Sequence, residues 1–427
     1  MSAFCHNRNP HCCIDLKFMN RFSVKLPSLR VQQGFTLIEL MVSLLLGLLI
    51  TAALITIYVN ISRTNTEMIK TNTLIENGRF AIDILQEDIS HAGFWGGYVA
   101  QFDDLTSSAT PADTPTLLPD PCLSYSNWVT TSGYKNSLIG IPIQTYDASP
   151  PGCAAIVTDK QANTDVLVVR HAEVCLPGVG NCESNNASKV YFQSSYCENE
   201  YSATPPLRYV LSNTATDFAL KKRGCIGTPP AATVGTVSDK RKFIANLYYV
   251  RTYAVTVGDG IPTLMRSNFD IVNGMPAFGT ATALIEGIEG FRVELGFDGQ
   301  SRCNTNTDYT TAVSKVNPTT CLVSATTTEN TMPINRGDGV PEGPFRHCNS
   351  TSSTFPEVNC TYGLLTNTVA VKLYVLTRSR ETALGQLDAK QYTLGGATLG
   401  PFNDRYKRHV FQSMVRLTNI SGRRETP

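Results

Sequence analysis

The feature that most limits what this chain can fold into is the run at residues 35–61, FTLIELMVSLLLGLLITAALITIYVNI, broken by a single carboxylate, Glu39. As a helix it is long enough to span a bilayer. Upstream, Arg8, Lys17, Arg21, Lys25 and Arg30 stand against one acid, Asp15, so the positive-inside rule keeps that segment in the cytoplasm and sends the rest of the chain across the membrane. A secretory signal would place its cleavage site after the apolar run and keep carboxylates out of it; here the order is inverted. A carboxylate at that depth costs roughly 2.5–3.5 kcal/mol on the insertion scale and calls for a compensating cation. A cut after Gly34 would free an α-amino group on Phe35, and the amine of a neighbouring copy would supply that cation to Glu39.

The string QQGFTLIELMVSLLLGLLI, residues 32–50, resembles the processing motif of type IV prepilins and type II secretion pseudopilins. It combines a basic leader ending in Gly34, Phe35 after it, Glu39 four residues later and an unbroken apolar helix. The resemblance implies that a prepilin peptidase cuts between Gly34 and Phe35 and methylates the new amine, with Glu39 carrying subunit registration. The competing reading is a signal anchor with a stray Glu and a chance Gly. A leader of residues 1–34 is long for such proteins. A start at Met19 would give MNRFSVKLPSLRVQQG, keep Arg21, Lys25 and Arg30, and remove Cys5, Cys12 and Cys13; N-terminal sequencing of the unprocessed protein decides between the two.

Beyond the apolar run, Met68, Ile75, Ile82, Leu85 and Ile89 keep helical spacing, with Glu67, Lys70, Glu76, Arg79, Asp83 and Glu87 on the opposite face. Gly93, Gly96 and Gly97 supply a stop. One helix over 35–92 would be about 85 Å long at 1.5 Å per residue. Gly78 within it costs about 1 kcal/mol relative to Ala, which points to close packing or a bend. The segment ENGRFAIDILQEDISHAGFWG, residues 76–96, is similar to the PilW family of minor pilins, as are ALIEGIEGFRVELGFD, NTVAVKLYVLTRSR and YKRHVFQSMVRLTN. That resemblance implies a minor pilin that primes or caps type IV pilus assembly. It would sit in the inner membrane with a periplasmic head and join the pilus at or near the tip. The implied partners are the prepilin peptidase, other minor pilins, the major pilin and a tip adhesin. Two alternatives stay open: a J-like minor pseudopilin of a type II secretion system, and an uncleaved signal-anchored periplasmic enzyme or binding protein.

Residues 99–153 are proline-bearing and irregular, and strand-like runs come after them at 165–171, 189–193, 207–211, 217–222, 246–257, 290–297, 368–377 and 407–419. The expected class is α+β: a long N-terminal helix, membrane-spanning in its first half, packed on a mainly antiparallel β-sheet head with disulfide-bearing loops. The expected divisions are a leader (1–34), a transmembrane or filament-core helix (35–61), an amphipathic continuation (62–97) and the head (98–427). Residues 298–367, rich in Thr, Ser, Asn and Gly, read as an elaborated surface loop. Ten of the thirteen cysteines lie beyond the apolar run: Cys122, Cys153, Cys175, Cys182, Cys197, Cys225, Cys303, Cys321, Cys348 and Cys360. The even number, the absence of CxxC and the lack of His at metal-ligand spacing favour disulfides over zinc. Connectivity is not fixed by sequence. Nearest-neighbour pairing, Cys122 with Cys153 and so on down the chain, is the simplest of many because it closes short loops.

Thirty-six basic residues against thirty-five acidic ones leave a net charge of +1, so no global field points to nucleic acid. The six histidines form no HExxH, and there is no GxSxG, P-loop or GxGxxG after a strand. The sequence therefore predicts no catalysis, no metal and no cofactor. Weaker patterns have bland readings. His171 and Glu173 sit at a strand end. Asn304, Asn306 and Asp308 alternate like a calcium loop but lack the Gly and distal Glu of an EF-hand. Arg336, Gly337 and Asp338 form an RGD tripeptide that reads as a tight turn. The basic stretches 240–249 and 406–411 alternate as strands do, which weighs against DNA contact.

Overall fold

Helix α1 (Leu37–His91) arises from the apolar run and the amphipathic pattern behind it. The computed structural model describes residues 34–100, 102, 110–203, 206–227, 234–323, 331–383, 385 and 387–425; the segment before Gly34, with Cys5, Cys12, Cys13 and Met19, lies outside the described residues. The chain divides into two compact units between Arg63 and Thr64. In the first, every described residue is exposed, and the helix is long and apolar enough to cross a membrane.

In the second unit α1 buries Leu74, Gly78, Ala81, Ile82, Leu85 and Ile89. Ile82, Leu85 and Ile89 belong to the stripe expected from sequence, but Met68 is 57% and Ile75 38% exposed. The buried stripe runs instead through Leu74 and Gly78, because the bare α-carbon of Gly78 admits the ring of Phe411. The helix ends where Gly93 takes a φ of +73°. Asn419 donates from its side-chain amide to the Ser90 and Ala92 carbonyls at 3.2 Å each, satisfying groups that a helix end leaves open.

The first sheet holds β1 (Ile143–Tyr146), β2 (Val166–Ala172), β3 (Tyr191–Ser194), β4 (Tyr209–Ser212), β5 (Lys240–Arg251), β6 (Thr263–Val272), β7 (Met275–Phe278) and β8 (Thr282–Glu286). Its spine is β1-β2-β5; the start of β5 pairs with β3, which pairs with β4, and its end pairs with β6, which carries β7 and β8. Successive side chains face opposite ways. On β2, Leu167 and Val169 join the core under α1, while Val166 and Val168 join a second core on the far face. That far face is covered by the region read as irregular. It contains a 3-10 turn (Tyr125–Trp128) and α2 (Tyr134–Gly140), and it buries Trp95, Trp128 and Tyr134.

The second sheet has the order β13-β12-β9-β14-β17, from β9 (Ile288–Phe297), β12 (Arg346–Cys348), β13 (Glu357–Val358), β14 (Thr368–Arg378) and β17 (Arg408–Arg416). Two small ribbons, β10 (Lys315–Val316) with β11 (Met332–Pro333) and β15 (Tyr392–Leu394) with β16 (Ala397–Leu399), flank it. The pairings are antiparallel apart from β12 with β13. Phe291, Val293, Leu295, Val371, Leu373 and Val375 share the core with α1 and the first sheet. The fold is α+β.

Several expectations need correction. Residues 217–222 form no strand; only Lys221 bridges to Val237. The strand expected at 246–257 is β5, which starts at Lys240 and stops at Arg251, where Asp259 gathers the Ala254, Val255 and Thr256 amides into a loop. After β17 comes a short helix, α3 (Thr418–Arg424), in place of further strand. Residues 298–367 are not all surface loop, since β12 joins the second sheet and Cys348 and Leu365 are buried in the main core.

The described cysteines form five disulfides: Cys122–Cys153, Cys175–Cys182, Cys197–Cys225, Cys303–Cys321 and Cys348–Cys360.

Candidate functional site

The start of α1 is built by a reciprocal cap. Thr36 donates its amide N–H to Glu39 Oε2 at 3.0 Å and its hydroxyl to the same oxygen at 2.8 Å, while the Glu39 N–H points back to Thr36 Oγ1 at 3.4 Å. This is the T-x-x-E capping box, with Thr36 at the N-cap and Glu39 three residues in. The string was visible in FTLIE, yet sequence reasoning gave Glu39 only an intermolecular role. Phe35 is 86% exposed beside it. The carboxylate thus has a local partner that lowers the cost of its place in an apolar helix, and it stays on the surface.

The second half of α1 is held by a polar clamp that the sequence did not reveal. Asp88 accepts from Asn246 Nδ2 at 3.0 Å on both oxygens and from the Tyr248 hydroxyl at 2.9 Å, and its Oδ1 lies 3.0 Å from His171 Nε2. His171 therefore meets a helix carboxylate and not a serine, and its Nδ1 faces the Ala172 carbonyl at 2.9 Å. Lys407 adds an ion pair to Glu67 at 2.8 Å, and that lysine holds the Glu67 carboxyl below its ordinary range.

Between the sheets lies a second buried polar cluster. His347 Nε2 is 2.8 Å from Asp165 Oδ1, and Nδ1 meets Glu357. Arg292 reaches Glu357 at 3.0 Å and Glu294 at 3.2 Å. Burial works against a charged imidazole, but Asp165 and Glu357 outweigh it and hold the His347 pKa above the ordinary value. A cavity of about 430 Å³ opens beside these side chains. Both ring nitrogens are engaged by carboxylates, so the arrangement suits an ionic staple better than a general base, which needs a free nitrogen near its substrate.

The remaining sequence candidates are accounted for by folding contacts. Arg336 is fully buried, donating to the Asn335 and Thr311 carbonyls at 3.1 Å, with its guanidinium 5.0 Å from the Tyr309 ring centroid. The RGD tripeptide is thus not displayed as a ligand would be. Asp308 folds back on Thr310, and Asn306 accepts from Gln300. The carboxylates of Asp298, Asp338 and Glu342 converge, but Asp298 already pairs with Arg424 at 3.1 Å and accepts the Asp338 and Gly339 amides.

In the basic stretches, Lys242 pairs with Glu183 at 3.0 Å, and Lys240 lies 4.8 Å from the ring centroids of Tyr191 and Phe218. The buried Arg408 is saturated by Glu289, Asp388 and Asp404 at 2.5, 2.9 and 2.6 Å. These cations are spent inside the head.

The profile described as Type IV Pilus-assembly protein W matches residues 247–419, from within β5 to the start of α3. The profile of the prokaryotic N-terminal methylation motif matches residues 29–55, which contain Gly34, Phe35, Thr36 and Glu39. A solved type IV-like pilin from Thermus thermophilus is similar at 11% identity and a TM-score of 0.21, over 60% of this chain and 80% of that chain, a score too low to carry a fold across. No curated protein matches. A methylation motif opens the exposed apolar helix, and the region matching the assembly protein W supplies much of the two sheets; the chain is a type IV pilin-like protein that carries a PilW region.

Proposed function

We propose that this pilin is cut between Gly34 and Phe35, methylated on the Phe35 amine, and used to prime or cap a type IV pilus as a non-catalytic subunit. The observation that carries the reading is the juxtaposition at the start of α1: Gly34 and Phe35 lie inside the methylation-motif match, next to a capped but surface-exposed Glu39. On this reading residues 1–34 are the leader, 35–61 the membrane and filament-core segment, 62–97 its amphipathic continuation and 98–427 a periplasmic head. Before assembly Glu39 is satisfied by Thr36. In the filament the methylated amine of a neighbouring subunit takes over as a full charge partner, which a neutral hydroxyl and amide cannot match in a low-dielectric helix bundle. The partners are the prepilin peptidase, other minor pilins, the major pilin and a tip adhesin, with the tip as the place of incorporation.

Glu39→Ala tests the registration role. The variant is expected to be cleaved normally while surface pili fall strongly; normal piliation would refute the role. A pilus role is preferred over a type II secretion pseudopilin because the matched region is that of a pilus-assembly protein.

A further inference from the structure

We infer that the five disulfides of the head are installed by a thiol–disulfide oxidase acting on the chain during export, with no need for a disulfide isomerase; the inference rests on the export of the head proposed above. Connectivity carries it. Each bond joins one described cysteine to the next, at separations of 31, 7, 28, 18 and 12 residues. None of the five loops encloses or overlaps another. Ten cysteines can pair in roughly 900 ways. This is the one pattern in which every second cysteine, on arrival, finds a single open thiol ahead of it.

With the leader held in the cytoplasm, Cys122 emerges first and Cys153 next, and the bond can close before Cys175 arrives. Short loops also close at the lowest entropic cost. Burial adds a constraint of its own: Cys153 and Cys197 are fully buried and Cys348 is 3% exposed. A catalyst arriving after folding would not reach them, so correct pairing has to precede closure of the head.

Each round balances by thiol–disulfide exchange. The thiolate of the first cysteine attacks the oxidase disulfide, giving a mixed disulfide and one oxidase thiol. The thiolate of the second cysteine attacks the chain's sulfur, forming the chain disulfide and leaving the oxidase as a dithiol. Two electrons and two protons pass to the oxidase per bond.

The test uses the full chain, leader included, in exporting cells that lack either the oxidase or the isomerase. Thiols are alkylated at lysis and disulfide-linked peptides are mapped by mass spectrometry without reduction. Isomerase-deficient cells are expected to give the five consecutive pairs within about threefold of the parent yield, and oxidase-deficient cells to lose them by more than that. Non-consecutive pairs or a larger loss without the isomerase would overturn the inference while leaving export intact, as would undiminished pairing without the oxidase. Ten free thiols in parent cells would remove the export reading and this inference together.

Discussion

The ring of Phe411 in β17 lies against the α-carbon of Gly78 in α1, in the space that a Cβ at position 78 would occupy. This contact ties the helix to the edge of the second sheet. It explains a glycine that propensity alone disfavours in the middle of a helix.

Gly78→Ala should therefore destabilise the protein by roughly 1–3 kcal/mol through overpacking, even though Ala gains about 1 kcal/mol in helix propensity. Phe411→Leu should relieve most of that loss in the double variant. A denaturation cycle over the four proteins reads the coupling, which the contact sets at no less than about 1 kcal/mol; additive effects would place Phe411 elsewhere.

Asp88→Ala removes the acceptor shared by His171, Asn246 and Tyr248. Leaving the buried Asn246 amide and Tyr248 hydroxyl without that acceptor should cost roughly 2–4 kcal/mol. Amide exchange should accelerate in the last turns of α1 more than in β14, and uniform acceleration would count against a local clamp.

The His347 staple predicts a pH dependence. Its folded pKa stands above the ordinary 6.5, so its contribution is fully present below that value and is lost as pH rises through the raised one. Glu357 is held below its ordinary 4.5, because His347 and Arg292 outweigh its burial; its contribution is present above 4.5 and is lost as pH falls through the lowered value. Unfolding free energy should decline on the alkaline side of 6.5 in the native protein, and His347→Gln should flatten that decline. An unchanged slope in the variant would remove the staple as its source.

The disulfides should not matter equally. Opening Cys122–Cys153, which spans 31 residues of the layer over the first sheet, should cost about 3–4 kcal/mol by chain entropy. Opening Cys175–Cys182, which spans 7, should cost about 2–3 kcal/mol. Paired Cys→Ser variants in thermal denaturation give the order; the reverse order would put native-state strain above loop closure.

The features legible in the sequence were local ones. The apolar run, the stop at Gly93 and the strands near 165–171, 290–297 and 368–377 announce themselves by period and by β-branched content. β6 to β8 escaped although Arg266, Asn268 and Asp270 alternate with Met265 and Phe269, because Ser267 weakens the apolar face and Gly274 and Gly279 read as loop. The layer over the first sheet escaped because its burial depends on Trp128 and Tyr134 meeting Phe243 and Phe269 across the fold. The polar clusters had no local signal: Asp165 and His347 are 182 residues apart. The T-x-x-E cap was local but lay inside a motif that already had an explanation for its glutamate.

Intact-mass analysis of the protein recovered from membranes tests the central claim most directly. A chain beginning at Phe35 and heavier by one methyl group is the predicted result. A chain that keeps residues before Phe35, or begins there without the methyl group, would contradict the account.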